Sequence, residues 1–150
     1  MENKIEFIPS EMQYLEDVKL LLREYKLPYE DIDEHFTHFI LARKEEKIVG
    51  AIGLEIYGNI GLLRSFVVDK ALRNKKIGDT LILSLFNYSF EQGIKTLYLL
   101  TITAEKYFLK YEFQVENKDN LPKLIKQTKE FSCICPCSAV AMRKDLDVSL

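Results

Sequence analysis

LLRSFVVDKALRNKKIGDTL, residues 62–81, holds an apolar strand, a basic turn and the opening of an amphipathic helix, in that order. From Leu62 to Val68 the residues are apolar but for Arg64 and Ser65 and end in Phe66, Val67 and Val68, a pattern that predicts a mostly buried strand. Past Asp69, the side chains Ile77, Leu81, Ile82, Leu85 and Tyr88 fall at helical spacing, which predicts a helix with one buried side. Between the two lies RNKKIGDT, residues 73–80. The first turn of a helix leaves its N–H groups without intrahelical acceptors and carries about half a positive charge. With Arg73, Lys75 and Lys76 beside it, this turn predicts a cradle for a di- or triphosphate; a solvated basic turn is the plainer alternative.

Upstream, Phe39–Arg43, Ile48–Tyr57 and Ile60–Val68 are separated only by the charged KEEK and by Gly58-Asn59, which predicts an antiparallel meander. Glycine accepts positive φ at the first position of a two-residue loop, so Tyr57 should face Ile60. That register sets Gly53 opposite Arg64 and Glu55 opposite Leu62, with Glu55 and Arg64 on one face and a bare patch beside Arg64 at Gly53. A carboxylate and a guanidinium inside apolar strands require water, each other or a ligand. Two readings follow: a mutual salt bridge on a solvated face, or a polar pocket in which Arg64 grips an anionic group and Glu55 handles protons.

The rest of the chain repeats the alternation of short apolar strands and helices. A strand at Lys4–Ile8 leads through Pro9 and Ser10 into a helix carrying Met12, Leu15, Val18, Leu21 and Leu22, which ends before Pro28 and an acidic stretch, YEDIDEHF. No linker or repeat interrupts the 150 residues, so one α/β domain over residues 1–150 is expected, with a core that removes roughly 70% of the unfolded surface from water. Twenty-one basic and 23 acidic side chains are dispersed along it, which argues against a nucleic-acid partner and for a small molecule. The sequence has no apolar run near the ~18 residues of a membrane span and no signal-peptide layout, so a cytoplasmic protein is expected.

Cys133, Cys135 and Cys137 fall in CICPC; if extended, the stretch would align three thiols on one side, but the spacing is unlike common metal motifs and small reduced cysteines are expected. His35 and His38 make an incomplete metal site, and no metal is expected. Thr101 and Thr103 would either line a pocket or cap a helix near Ala104. EFSCICPCS, with Pro136 and Ser138, would either border a pocket or form a loop into the last strand, SAVAMR.

The run 62–81 resembles the cofactor-binding segment of the GNAT superfamily of acyl-CoA N-acyltransferases, whose loop reads Arg/Gln-x-x-Gly-x-Gly/Ala. Arg73, Ile77 and Gly78 match that loop, and Lys76 stands at its first glycine. GLEIYG, LLRSFVV, LYLLTITAEKYF and FSCICPCSAVAMRKDL resemble in particular the arsenic-resistance type, relatives of which acetylate glutamate-like amines such as arsinothricin or phosphinothricin. The resemblance implies an α/β (α+β) fold with a mixed, twisted sheet whose central strands splay. It implies acetyl-CoA as co-substrate, with main-chain groups of Phe66, Val67 and Val68 along the pantetheine and Arg73, Asn74, Lys75, Lys76, Ile77, Gly78, Asp79 and Thr80 around the pyrophosphate. Ser65 and Phe66 would bring an N–H to the thioester oxygen. Direct attack by a small, anionic primary amine would use Glu55 as base and Arg64, Thr101 and Ser138 as acceptor contacts. A homodimer is compatible with it.

Two departures from the family pattern concern Ala-x-x-Phe-Tyr-x-x-x-Gly-Phe, which here reads AEKYFLKYEF: Phe108 replaces the tyrosine that protonates the leaving thiolate, and Glu112 replaces glycine. Tyr107 and Tyr111 are the nearby phenols, though a one-residue offset turns a helical side chain by about 100°. The alternative implied by these departures and Lys76 is an acyl-CoA-binding module without turnover.

Overall fold

Strand pairing is decided by two tight turns. β3 (Lys47–Tyr57) and β4 (Ile60–Val68) join through Gly58, whose φ of 65° is the conformation glycine alone adopts without strain, and pair with Gly53 opposite Arg64 and Glu55 opposite Leu62. β2 (Phe39–Lys44) turns into β3 through Glu45 and Glu46, both at positive φ. The meander and its register are those expected. The computed structural model describes the backbone of residues 4–134 and 139–146, and all their side chains except those of 74, 75, 133 and 134.

With β1 (Ile5–Pro9), β5 (Thr96–Thr101), β6 (Gln114–Glu116) and β7 (Val140–Asp145), these strands form one mixed sheet in the order β1-β2-β3-β4-β5-β7-β6. β4 and β5 are the parallel pair, and β5 returns to the sheet only after the crossover helix α2 (Ile77–Glu91).

Each face has its own helix. Leu81, Ile82 and Leu85 of α2 pack with Ile52, Leu54 and Leu63 on one face. α1 (Leu15–Glu24) lays Val18, Leu21 and Leu22 with Phe36, Phe39 and Leu41 on the other. The first helix therefore begins later than Ser10: a 3₁₀ turn, Met12–Tyr14, precedes it. YEDIDEHF leads into a second 3₁₀ segment, Ile32–His38, pinned by the buried Ile32 and Phe36. After α3 (Glu105–Leu109), the short helices α4 (Lys123–Lys126) and α5 (Lys129–Ile134) close the far end, where Ile125 and Leu121 meet Leu62 and Leu100.

The loop expected across EFSCICPCS is thus helical at its start, because Glu130 and Phe131 belong to α5. The extended cysteine arrangement does not hold at Cys133, which lies in that helix; Cys135, Pro136, Cys137 and Ser138 lie outside the described residues. The bare patch beside Arg64 is not bare either. A Cβ on Gly53 would stand 2.4 Å from the Phe39 ring, so Gly53 makes room for an aromatic core residue. No helix among the described residues is long and apolar enough to cross a membrane.

Candidate functional site

β4 and β5 pair over Ile60–Leu62 and Thr96–Tyr98 and then part. A β-bulge sits where they part: Ala51 faces Val67 and Gly53 faces Arg64, so β4 carries an extra residue, and Ser65 takes a φ of 58°. A left-handed non-glycine residue within a strand stores about 1–3 kcal/mol of strain. The opening continues as a cleft of about 1470 Å³, with Ser65, Phe66, Val67 and Val68 along one wall and Leu99, Leu100 and Thr101 along the other.

At one mouth of the cleft stands the front of α2. Ile77, Gly78 and Asp79 form its first turn, and their N–H groups have no partner within the helix. Lys76, the N-cap, has φ 60° and ψ 21°, left-handed backbone at the position where the loop it resembles carries its first glycine. Glu112, which stands where Ala-x-x-Phe-Tyr-x-x-x-Gly-Phe has its glycine, is also left-handed, with a φ of 70°. Left-handed backbone costs roughly 1–2 kcal/mol for a residue with a Cβ, and both sites bear that strain.

The side chains around this turn have separate employments. Ile77 is buried in the core and offers only main chain; Thr80 turns its hydroxyl back to the Lys76 carbonyl at 3.2 Å. Arg73 donates from Nε to the Val68 carbonyl at 3.0 Å and lies over the Tyr25 ring. Asp79 accepts from the Tyr107 hydroxyl at 3.0 Å and from that of Tyr111, and the Tyr111 bond, opposed by desolvation and aided by Tyr107, holds its carboxyl below the usual range. Phe66 packs on Tyr107 and Phe108, and a Cβ on Gly78 would lie 3.4 Å from both Phe66 and the Tyr107 hydroxyl. Asn74 and Lys75 continue the 3₁₀ turn Lys70–Lys75.

The other mouth is lined by Arg64 on the opposite face of the sheet. Arg64 and Glu55, each 1% exposed, are bonded at 2.6 Å, so the expected pair exists but on a dry face. Arg64 is satisfied throughout. Nη1 and Nη2 donate to the two oxygens of Asp31 at 2.7 and 2.8 Å, Nη1 also to Glu55, Nε to the Ser65 hydroxyl at 3.1 Å, and Nη2 reaches the Pro28 carbonyl at 3.5 Å. Burial pushes the Asp31 carboxyl up, but the hydrogen bonds and charge of Arg64 outweigh it and hold it below the ordinary value. Glu55 gives its second oxygen to the Tyr57 hydroxyl and is not among the residues lining the cleft. His35 Nε2 stands 3.4 Å from Glu55 Oε1, which brings Asp31, His35 and Glu55 together as a cluster of potential ligands whose positive partner is already Arg64. His38 departs to bond the Tyr88 hydroxyl on α2.

Glu130, on α5, completes this end. It lines the cleft, is 3% exposed, and its Oε1 lies 3.7 Å from Arg64 Nε with no hydrogen-bond partner. Burial pushes its carboxyl up to about 7, against the attraction of Arg64 and with the repulsion of Glu55 and Asp31. Sequence reasoning reached Glu55 and Arg64 but not Asp31, Tyr57 or Glu130. The signal available for Asp31 was the requirement itself: a buried guanidinium demands acids, and the acidic YEDIDEHF supplies that one; Glu130 comes from EFSCICPCS, where no local pattern marks it. Thr101 and Thr103 both line the cleft; Thr101 Oγ1 accepts the N–H of Ala104, the residue before α3, at 3.0 Å, and neither threonine caps the first turn of that helix among the described contacts.

A model of the Acetyltransferase (GNAT) family matches residues 5–111. The uncharacterized protein YwlB of Bacillus subtilis is 36% identical over 85 residues, 55% of this chain and 57% of that protein, so the chain spans little more than half of this relative. The uncharacterized N-acetyltransferase CT2212 of Chlorobaculum tepidum is 27% identical over 127 residues, 81% of this chain and 79% of its own. Among solved structures, N-acetylglutamate synthase from Neisseria gonorrhoeae, complexed with coenzyme A and N-acetyl-glutamate, superposes with a TM-score of 0.82 at 15% identity over 99% of this chain and 36% of that one.

Proposed function

The chain belongs to the Acetyltransferase (GNAT) family, and from that premise we propose that it transfers acetyl from acetyl-CoA to the primary amine of a small amino-acid-like acceptor by direct attack. The observation that carries this reading is the parting of β4 and β5 beside the unpaired front of α2: a slot for a thioester with an anion seat at its mouth. Pantetheine would run along Phe66–Val68, and the pyrophosphate would rest on the N–H groups of residues 77–79, with Lys76 adding charge. The bulge at Ser65 supports an N–H turned toward the thioester oxygen, where charge develops during attack. Tyr107 lines the cleft beside Gly78 and is the candidate to return a proton to the thiolate in place of Phe108.

The roles first expected of Glu55 and Arg64 are recast. All of Arg64's donors are occupied within the chain, so we assign it the organisation of the acid cluster, with Glu55 and Asp31 as its counter-ions. An anionic acceptor group would then be met at the rim by Arg23, Lys26 or Lys129, exposed cations that border the cleft. The Neisseria synthase, complexed with N-acetyl-glutamate, and the resemblance to the arsenic-resistance type both support glutamate-like acceptors. The test is release of coenzyme A thiol from acetyl-CoA in the presence of a panel of primary amines that includes glutamate and phosphinothricin. Turnover of one or more, with a melting temperature raised by acetyl-CoA alone, is expected; absence of both would overturn the reading.

A further inference from the structure

One guanidinium faces three carboxylates at the acceptor end of the cleft, with the His35 ring beside Glu55. Two of those carboxylates are spent. Asp31 gives both oxygens to Arg64, and Glu55 gives one to Arg64 and one to Tyr57. Glu130 is left over: it borders the cleft, its nearest cation is the Arg64 Nε at 3.7 Å, and that N–H is already donated to Ser65. A buried carboxylate oxygen without a partner is expensive unless something donates to it. Glu130 thus offers a buried acceptor oxygen suited to a donor group, and this end of the cleft, among the described residues, offers no free buried cation to grip an anion.

We propose that Glu130 is the residue on which the acceptor docks as its ammonium ion and to which that ammonium yields a proton before attacking the thioester. This rests on the acetyl-transfer reading above and deepens it: the acceptor enters amine first, toward α5, with any anionic group left at the rim. The ammonium passes one proton to the Glu130 carboxylate, and the freed lone pair forms the C–N bond at the acetyl carbonyl carbon. The C–S bond breaks with its electron pair remaining on sulfur, and the second nitrogen proton ends on that thiolate. Products are the amide and coenzyme A thiol, and Glu130 releases its proton to solvent.

The geometry agrees with the electrostatics. Desolvation and the neighbouring carboxylates Glu55 and Asp31 make Glu130 more basic than an ordinary glutamate, which suits a proton acceptor working near neutrality. Arg64 opposes this only in part, because it is shared with the other two acids.

The experiment is a pH profile of kcat/KM from 5.5 to 9 for wild type, Glu130→Gln and Glu130→Asp, using acetyl-CoA and the amine in the panel that turns over fastest. Wild type should lose activity about tenfold per pH unit below its lower inflection. Glu130→Gln should lose the Glu130 part of that limb and fall by about 10²–10⁴-fold on the plateau, the span of general-base contributions. Glu130→Asp should keep the limb at reduced rate. The acetyl-CoA-induced rise in melting temperature should be the same in all three. A Glu130→Gln enzyme with the wild-type limb and a plateau within threefold would overturn the assignment, as would a Glu130→Asp enzyme lacking the limb. Wild type that melts at the same temperature with and without acetyl-CoA would instead contradict the cofactor reading, whatever the Glu130 variants do.

Discussion

Replacing Glu130 by glutamine should stabilise the protein, and only at the alkaline side. The carboxyl is raised from an ordinary 4.5 to about 7 by burial, against the partial help of Arg64. Between those values the unfolded chain gives up the proton while the folded protein keeps it, so stability falls as pH rises through the window and the loss is complete above about 7. At about 1.4 kcal/mol per pH unit the full loss is about 3 kcal/mol. Glutamine does not ionise, so the variant should match wild type near pH 4.5 and exceed it by about 3 kcal/mol at pH 8, or roughly 6–12 °C in melting temperature for a chain of this size. Urea titrations of both proteins at pH 5 and pH 8 read this directly. A difference that is the same at both pH values, or a variant that is the weaker one at pH 8, would refute the reasoning, because either means that Glu130 carries its charge at little expense.

Other consequences are independent of catalysis. Arg64→Met should cost about 3–5 kcal/mol at neutral pH, since it strands Asp31, Glu55 and Glu130 without their cation, and part of the loss should be recovered on acidification. Gly53→Ala should destabilise by about 1–3 kcal/mol in urea unfolding, because the new methyl meets the Phe39 ring at 2.4 Å; an unchanged midpoint would contradict the packing described. Lys76→Gly and Glu112→Gly should each raise stability by about 1 kcal/mol by relieving a left-handed residue, measured as a rise in the urea midpoint at constant slope.

Local patterns in the chain carried much of the fold. Gly58-Asn59 fixed the β3–β4 register, and that register alone put Glu55 and Arg64 on one face. Helical spacing past Asp69 placed α2 and with it the first-turn N–H groups that have no partner within the helix. The acid cluster was less legible, because its members are joined by contacts across long stretches of chain: Asp31 lies 33 residues from Arg64, and Glu130 comes from a short helix within a stretch read as a pocket border or loop. No periodicity encodes such meetings. The dryness of the Arg64 face was hidden for a similar reason, since Phe39, with Phe36 packed on its ring, covers Gly53 in the neighbouring strand, opposite Arg64. The left-handed backbone at Lys76 and Glu112 was legible only through the family pattern, as neither residue type prefers it.

On the acetyl-transfer proposal, the front of α2 and the open stretch of β4 together hold a nucleotide thioester. Backbone amide NMR spectra recorded while acetyl-CoA is added test it residue by residue. The largest shifts are expected at Ile77, Gly78 and Asp79 and along Phe66–Val68, saturating together. Shifts that leave those amides unmoved while acetyl-CoA binds elsewhere would contradict it.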